Sequence, residues 1–332
     1  MTRLSPIRRL RRSHPLAVSL VILLGSLVAV PSQAVAHAAE TPPAAAASAE
    51  EEEGATDLAV GVTSSGEVLE APRGAPTATT ETIEPYTGSG DITDAGPNVS
   101  FEPAPEDAST GGGDVSTDSV IGADNRTRIT ATTSHPSRTI VYLTSSDARC
   151  TGFLVSKDTV VTAGHCVHPG GTGSTSDFYN TFRAYPGKNG STNPYGSCGW
   201  TQVWTDTAWI NDESEAHDWG VIKLNCSIGN TVGWLGYRWQ SASLNGTSVT
   251  VRGYPDDKAY ATLWTHSGSI QYSYTHVLGY AIDTGAGQSG SPAYDANLYA
   301  VGIHVRGAGG SIAYNQAKRI TESLFNIIQG IT

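Results

Sequence analysis

Short hydrophobic stretches rich in β-branched and aromatic residues recur along the chain from residue 139 onward, with Gly, Asn, Asp, Ser and Pro between them. Stretches this short, bounded by turn-forming residues, predict β-strands rather than helices. Many strands with turn signals between them are typical of an all-β sandwich or of antiparallel barrels. We predict strands at residues 139–143, 152–155, 159–163, 181–185, 201–204, 219–224, 248–253, 261–266, 277–282, 291–294, 298–304 and 311–314.

A helical pattern occurs at the end of the chain. Apolar side chains lie at Ile320, Leu324, Phe325, Ile327 and Ile328, which is the spacing of one helix face. We therefore predict an all-β body with a C-terminal helix.

The first 38 residues have the layout of an export signal. Arginines up to Arg12 precede an apolar run from Leu16 to Val30, and small residues follow up to Ala38. The run is shorter than the ~20 residues that a membrane-spanning helix needs. We expect residues 1–38 to be a signal peptide, the protein to be secreted and extracellular, and no stable membrane association.

Residues 39–118 have a different composition from the rest. Ala, Pro, Gly, Thr and Glu dominate, Tyr86 and Phe101 are the only aromatic residues, and 17 acidic residues stand against the single base Arg73. Such a segment buries too little apolar surface to offset the entropy of ordering it. We expect an acidic, low-complexity and largely disordered propeptide.

The acidity of the chain belongs to that segment. The net charge is −11, while residues 119–332, which hold all seven Trp and all four Cys, are near neutral. A protein that binds nucleic acid would carry a basic face. We therefore expect a folded body at residues 119–332 and no nucleic-acid partner.

Four cysteines in an exported protein are most simply two disulfides, for which three pairings exist. The order Cys150, Cys166, Cys198, Cys226 favours pairing of the first two and of the last two, because each pair closes a short loop. A metal site is the rival interpretation, but the chain has no Cys-x-x-Cys or His-rich spacing. We expect two disulfides, no metal and no cofactor.

Three short strings in the body carry side chains for acyl-transfer chemistry. A serine hydroxyl needs an adjacent imidazole as base, and a carboxylate must hold that imidazole in the right tautomer. Among the aspartates, Asp218 is favoured for this role because an apolar strand follows it directly. The strings are Thr162-Ala163-Gly164-His165-Cys166, His217-Asp218-Trp219-Gly220 and Gly287-Gln288-Ser289-Gly290-Ser291-Pro292.

The order and surroundings of these residues narrow the class of enzyme. In α/β-hydrolases the serine precedes the acid and the histidine, whereas here Ser289 comes last. The glycines around Ser289 allow backbone N–H groups to face a developing oxyanion, each such donor being worth on the order of 10²- to 10³-fold in rate. In this chain those donors would belong to Gly287 and Ser289.

The three strings resemble the His, Asp and Ser motifs of chymotrypsin-fold serine peptidases. The stretch Ser119-Val120-Ile121-Gly122 is similar to the mature N-terminus of the bacterial glutamyl endopeptidase branch, and the likeness covers the whole body. The resemblance implies that His165 is the general base, Asp218 its orienting carboxylate and Ser289 the nucleophile. It also implies two β-barrels, about 119–230 and 231–332, with the catalytic residues in the cleft between them.

Two features of the sequence point to different substrates. Asp283, six residues before the serine, stands where trypsin-like enzymes keep the carboxylate that binds Lys or Arg. Thr284 and His304 instead match positions that glutamyl endopeptidases use to hold an acidic side chain, and both can donate to a carboxylate. We favour cleavage after Glu, with Asp a poorer substrate, and keep cleavage after Lys or Arg as the alternative.

Removal of the propeptide would create a new N-terminus, whose amine bears on substrate preference. In trypsin-like zymogens the freed amine pairs with an Asp immediately before the nucleophile, and here that residue is the uncharged Gln288. The resemblance implies that the amine of Val120 or Ser119 instead helps to neutralise a substrate carboxylate. Cleavage at Asp118–Ser119 follows an acidic residue, so self-processing is a hypothesis, and cleavage at Ser119–Val120 stays open.

We thus predict a secreted serine endopeptidase, made as a preproprotein, that acts on polypeptides as a monomer. A rival from another class is a catalytically silent extracellular binding protein on the same fold. The presence of all three catalytic residue types, His165, Asp218 and Ser289, argues against it.

Overall fold

The computed structural model describes residues 56–70, 81–102 and 119–332. The predicted signal peptide lies outside the described residues. Strands dominate the described chain: Ala59–Thr63 (β1), Val68–Glu70 (β2), Thr82–Ile83 (β3), Thr127–Ile129 (β4), Ile140–Thr144 (β5), Arg149–Leu154 (β6), Thr159–Thr162 (β7), Arg183–Pro186 (β8), Trp200–Asp206 (β9), Gly220–Leu224 (β10), Gly236–Arg238 (β11), Ser248–Gly253 (β12), Leu263–Ser273 (β13), Val277–Tyr280 (β14), Pro292–Tyr294 (β15), Tyr299–Arg306 (β16) and Asn315–Arg319 (β17).

Helices are few and short among the described residues. The α-helices are Thr207–Asp212 (α1), Ile228–Val232 (α2) and Glu322–Ile331 (α3). The last of these confirms the C-terminal helix that the apolar spacing predicts, with Leu324, Phe325 and Ile328 buried on its inner face and Thr321 as its N-cap. No helix in the described part of the chain is both long and apolar enough to cross a bilayer.

The strands form two sheets. The first has the order β2-β1-β9-β10-β7-β6-β5-β8, and an isolated bridge between Ala184 and Cys198 joins its far edge to the chain entering β9. In the second, β15 pairs with both β12 and β16, which closes the ring β15-β12-β13-β14-β17-β16 into a six-stranded barrel. The mostly antiparallel, all-β architecture predicted from the strand pattern is confirmed.

Both predicted disulfides are present. Cys150 pairs with Cys166 and Cys198 with Cys226. The first joins β6 to the turn after β7, and the second joins the chain before β9 to the chain after β10. The preference for closing short loops therefore identified the right pairing out of three.

Two stretches of the predicted propeptide are ordered against the body. Residues 59–63 form a strand that pairs antiparallel with β9, and residues 82–83 form one that pairs with β11. Tyr86 stacks on Trp234 with ring centroids 4.5 Å apart. Composition could not reveal this order, because these segments gain their burial from the body rather than from each other.

One predicted strand is misplaced. The stretch 311–314 contains only an isolated bridge, from Gly309 to Ile312, and the strand lies at Asn315–Arg319 instead. All five residues of that strand are buried although four of them are polar or charged. An apolar pattern cannot find a strand whose buried side chains are held by hydrogen bonds and ion pairs.

Candidate active site

His165 lies in a one-turn 3-10 helix directly after β7. Its backbone N–H donates to Asp218 Oδ1 at 2.9 Å, and its ring Nδ1 lies 2.8 Å from Asp218 Oδ2. Gly164 favours this close approach, because a Cβ at this position would lie 3.0 Å from Asp218 Oδ1 and from the N atom of Trp219, which is a tight contact. The two bonds fix both the backbone and the ring of His165 against one carboxylate.

Asp218 ends the 3-10 turn Glu215–His217, and only Trp219 separates it from β10. Its side chain is 8% exposed, whereas that of His165 is 32% exposed and lines the cleft. Burial alone lowers the pKa of His165, but the Asp218 carboxylate raises it by more, so the net shift is upward. The sequence-based choice of Asp218 over the other aspartates agrees with this geometry.

Ser289 lies in the turn between β14 and β15, and this turn is tied to the His165 side of the molecule. The carbonyl of Ser289 accepts from Thr151 N at 2.9 Å, and the carbonyl of Gly287 accepts from Thr151 Oγ1 at 2.9 Å. Thr151 follows Cys150, whose disulfide partner Cys166 follows His165. One hydrogen-bonded strand thus connects the serine turn to the histidine turn.

Two glycines allow this turn to form. Gly287 and Gly290 have φ of +85° and +84°, in the left-handed region that disfavours side chains. A Cβ on Gly290 would also lie 2.1 Å from the carbonyl of Thr151. Among the described residues, no backbone carbonyl accepts from the N–H of Gly287 or Ser289, while the N–H of Gln288 is bonded to Gly285. The turn therefore presents the two N–H groups predicted for an oxyanion hole.

The second barrel places His304 close to this turn. The N–H of Gly290 donates to the carbonyl of His304 at 2.7 Å, and the N–H of His304 donates to the carbonyl of Ser291 at 2.8 Å. The ring Nδ1 of His304 lies 2.9 Å from the hydroxyl of Tyr280. Burial, reinforced by the nearby His165, lowers the pKa of His304 to about 3, so this imidazole is neutral at neutral pH.

Thr284 is fully buried, and its hydroxyl has no hydrogen-bond partner among the described residues. Its backbone N–H donates to the carbonyl of Ser119 at 3.0 Å, and Asn315 Nδ2 donates to the same carbonyl at 2.7 Å. Buried hydroxyl groups are normally paired. The unpaired donor, with residue 119 seated beside it, marks a place where a polar ligand group would be satisfied.

The carboxylate of Asp283 is engaged by groups of the protein itself. Its side chain is fully buried, and its Oδ1 accepts from Ile121 N at 2.9 Å. Its Oδ2 accepts from Asn125 N at 2.8 Å and lies 3.4 Å from His266 Nδ1. The carboxylate that sequence position alone would assign to a basic substrate is used to hold the segment that begins at Ser119.

The cleft beside His165 has a volume of about 450 Å³. Arg306 and Glu215 form an ion pair on its wall, and both are about two-fifths exposed. Gln316 also lines the cleft, with its side chain held by the hydroxyl of Tyr272. Sequence reasoning missed Gln316 because it lies in the misplaced strand. It missed the Tyr280 hydroxyl because a tyrosine within an apolar stretch is usually an ordinary core residue.

Comparison with known proteins places this geometry in a family. The trypsin-like peptidase domain family matches residues 150–303. The chain is 43% identical over 216 residues to the glutamyl endopeptidase of Bacillus licheniformis, which covers 63% of this chain and 67% of that protein. A solved Glu endopeptidase in complex with MPD is 34% identical, with a TM-score of 0.59, covering 63% of this chain and 97% of that one.

The chain belongs to the bacterial glutamyl endopeptidase family. As a member of that family it is a serine endopeptidase of the chymotrypsin fold, and its substrates are polypeptides. The resemblance noted from the His, Asp and Ser strings is thereby confirmed, as is the family fold that it implies.

Another relative raises the question of a metal. The chain is 45% identical over 222 residues to a Bacillus subtilis protein named extracellular metalloprotease, covering 64% of this chain and 69% of that one. Of two groups of possible ligands among the described residues, one includes Cys150 and Cys166, whose sulfur atoms form a disulfide. The other, around Asp57, is fully buried and already holds the ammonium group of Lys318. Neither offers the open position of a catalytic metal site.

Proposed function

We propose that this glutamyl endopeptidase homologue cleaves polypeptides on the carboxyl side of Glu, with Asp a poorer substrate, through an acyl-enzyme on Ser289. The observation that carries the specificity is the buried, unpartnered hydroxyl of Thr284. A substrate carboxylate would satisfy that donor, whereas a guanidinium or ammonium group would leave it unpaired.

The proposed chemistry uses the hydrogen bonds around His165. Nε2 of His165 takes the proton of the Ser289 hydroxyl as its oxygen bonds to the scissile carbonyl carbon. The N–H groups of Gly287 and Ser289 hold the resulting oxyanion. As the intermediate collapses, the C–N bond breaks and the leaving amine takes the proton from His165. Water then repeats the sequence on the acyl-enzyme and releases the acid.

The Asp218 carboxylate holds His165 in the tautomer with its proton on Nδ1, through the 2.8 Å contact. This leaves Nε2 unprotonated and able to act as base. When His165 becomes protonated during the reaction, the same carboxylate stabilises the imidazolium. Its second oxygen is engaged by the His165 backbone N–H, which keeps the carboxylate from rotating away.

The acidic side chain would be held by neutral donors and by one positive charge. With Nδ1 of His304 accepting from the Tyr280 hydroxyl, its proton would reside on Nε2 and could be donated to a carboxylate. The backbone of Gln316 also hydrogen-bonds this imidazole, so a substrate carboxylate would compete with it. The remaining charge is the amine released when the propeptide is cut. Before the cut that amine does not exist, which would keep the precursor latent.

The structure favours the bond Asp118–Ser119 as the site of that cut. A chain beginning at Ser119 keeps the two hydrogen bonds to the Ser119 carbonyl from Thr284 and Asn315. A chain beginning at Val120 would lose both and leave the Asn315 side chain short of an acceptor. The amine would then belong to Ser119, and Val120, which is half-buried, would line the site rather than supply the charge.

The alternative of cleavage after Lys or Arg loses its main support, because Asp283 is occupied by Ile121 and Asn125. The layout of residues 1–38 supports secretion, and the ending of the propeptide in Asp118 is compatible with self-processing.

A fluorophosphonate probe tests the catalytic role of Ser289. We expect the probe to label processed protein on Ser289, and Ser289→Ala to abolish labelling and lower kcat on a Glu peptide by on the order of 10⁴- to 10⁶-fold. The neighbouring Ser291→Ala is the control and should still label. Correctly processed protein that takes up no label would instead support the silent binding protein.

A further inference from the structure

The propeptide places one buried carboxylate inside the body. Asp57 precedes β1, and its side chain is fully buried. Its Oδ1 lies 2.9 Å from Lys318 Nζ and accepts from Trp219 Nε1 at 3.1 Å. Its Oδ2 accepts from Thr321 Oγ1 at 2.8 Å. All these partners belong to the body.

This carboxylate balances buried positive charge. The side chain of Lys318 is fully buried, and among the described residues Asp57 is its ion-pair partner. His217 Nδ1 lies 3.3 Å from Asp57 and 3.1 Å from Asp206, and His217 is buried as well. Removing one partner of a buried ion pair leaves an uncompensated charge in a medium of low dielectric, which is strongly destabilising.

The chain after Asp57 is built into the sheet rather than laid on its surface. β1 pairs with β9 from Ala59–Asp206 to Thr63–Gln202. Ala59 and Val62 are buried and belong to two different hydrophobic clusters of the body. Gly61 allows the close approach, since a Cβ there would lie 2.5 Å from the Trp204 ring.

We propose that residues 56–70 stay bound to the body after the chain is cut before Ser119, as a non-covalent strand of the mature enzyme anchored by Asp57 in the socket formed by Lys318, His217, Trp219 and Thr321. The occupant is the chain's own propeptide strand. The proposal rests on the proposed cut before Ser119 and goes beyond it, because a propeptide that is simply discarded would leave the buried ammonium group of Lys318 without its carboxylate partner and with only the His276 Nδ1 contact at 3.2 Å among the described residues.

The test uses the full chain with Ser289→Ala, so that it does not depend on the enzyme's own activity. Recognition sites for another protease, which requires a long recognition sequence and does not cleave after single acidic residues, are introduced within 71–80 and within 103–118, outside the described residues. After both cuts, size-exclusion chromatography and native mass spectrometry show which pieces remain together. We expect the piece that contains residues 56–70 to co-elute with the body at one copy each, and separate elution would overturn the proposal.

Two variants test the anchor. Asp57→Asn in the cut protein should speed dissociation of the strand by about a hundredfold or more, because a buried ion pair loses one partner. Glu67→Gln is the matched control, since it removes an exposed charge from the same hairpin and should leave dissociation unchanged. Equal rates for Asp57→Asn and Glu67→Gln would overturn the role of Asp57.

If Asp57→Asn does not yield folded precursor, Gly61→Ala provides the second test. Its methyl group meets the Trp204 ring and leaves every charge in place, so it should also release the strand faster. A strand that stays bound equally well in Gly61→Ala would contradict the proposal that pairing of β1 with β9 helps to hold it. Failure of the probe to label Ser289, in contrast, would affect the proposed catalysis and leave these results intact.

Discussion

At the scale of single residues, the account depends on which polar groups are satisfied before a substrate arrives. Asp283 has partners on both oxygens, whereas the hydroxyl of Thr284 has none among the described residues. The two residues are adjacent, and their sequence positions alone favoured opposite substrates. Their existing hydrogen bonds distinguish the two residues, because a group that is fully hydrogen-bonded in the free protein has little capacity to bind a ligand.

Replacing Thr284 with Val should separate stability from activity. A buried hydroxyl without a partner is costly, so the free energy of unfolding should stay the same or rise. A hydrogen bond to a charged group is worth about 1.5–3 kcal/mol, so kcat/KM on a Glu peptide should fall about 10- to 100-fold. Denaturant unfolding and peptide hydrolysis measure the two quantities.

The control for Thr284→Val is Thr139→Val, another buried threonine, whose hydroxyl donates to the carbonyl of Pro136. It should lose stability and keep its kcat/KM on Glu peptides. A Thr284→Val enzyme that cleaves Glu peptides as well as the unchanged enzyme would remove Thr284 from the substrate site.

The pH dependence of activity tests the pairing of His165 with Asp218. His165 must be unprotonated to act as base, and burial and Asp218 together give it a pKa above the ordinary value of about 6.5. The kcat/KM profile should therefore rise with pH through an inflection above 6.5. Asp218→Asn should move that inflection downward, because the group that raises the pKa of His165 is gone. An inflection that does not move would contradict the pairing.

At the scale of elements, the sequence pattern predicted β5–β10 and β12–β16 and missed β1–β4, β11 and β17. β12 was predicted with the right ends, and β5 and β16 within two residues. β17 was missed because Asn315, Lys318 and their neighbours are buried through specific partners. The catalytic strings were found because their glycines and cysteines are local signals, but the roles of Tyr280 and Gln316 arise only from strand pairing.

The segment that begins at Ser119 behaves as an element of its own, held by Asp283. Asp283→Asn should weaken its bonds to Ile121 and Asn125 and lower the free energy of unfolding by about 1.5–3 kcal/mol. It should create no change in preference between Arg and Glu peptides. Asp177→Asn, an exposed aspartate, is the control for stability.

Stability in this comparison is measured in the Ser289→Ala protein to prevent self-digestion, and specificity in the active one. Loss of Arg cleavage in the active Asp283→Asn variant would show that Asp283 binds substrate after all. An unchanged unfolding free energy would show that its bonds to residues 121 and 125 do not matter.

At the scale of the whole molecule, composition predicted an acidic, largely disordered N-terminal segment and a near-neutral folded body, and the structure shows part of that segment ordered against the body. The acidic segment is short of apolar residues, yet Ala59, Val62 and Asp57 are buried against the body. Disorder predicted from composition assumes that a segment must supply its own core. A strand that completes another sheet and a carboxylate that neutralises a buried lysine need no core of their own.

The contacts that join the catalytic turns explain why three short motifs were enough to identify the fold. The His165 and Ser289 turns lie in different sheets, and Thr151 with the Cys150–Cys166 disulfide holds them together. The neutral His304 lies in β16, Thr284 lies five residues before Ser289 in the same loop, and Ser119 comes from the start of the body. Proteolysis is thus a property of the assembled molecule, and so is the proposed preference for acidic residues.

The most direct test of that assembly is kcat/KM of the processed enzyme on four peptides that differ only in Glu, Asp, Lys or Arg before the scissile bond. The account predicts fastest cleavage after Glu, slower cleavage after Asp, and little after Lys or Arg. Faster cleavage after Arg than after Glu would contradict it.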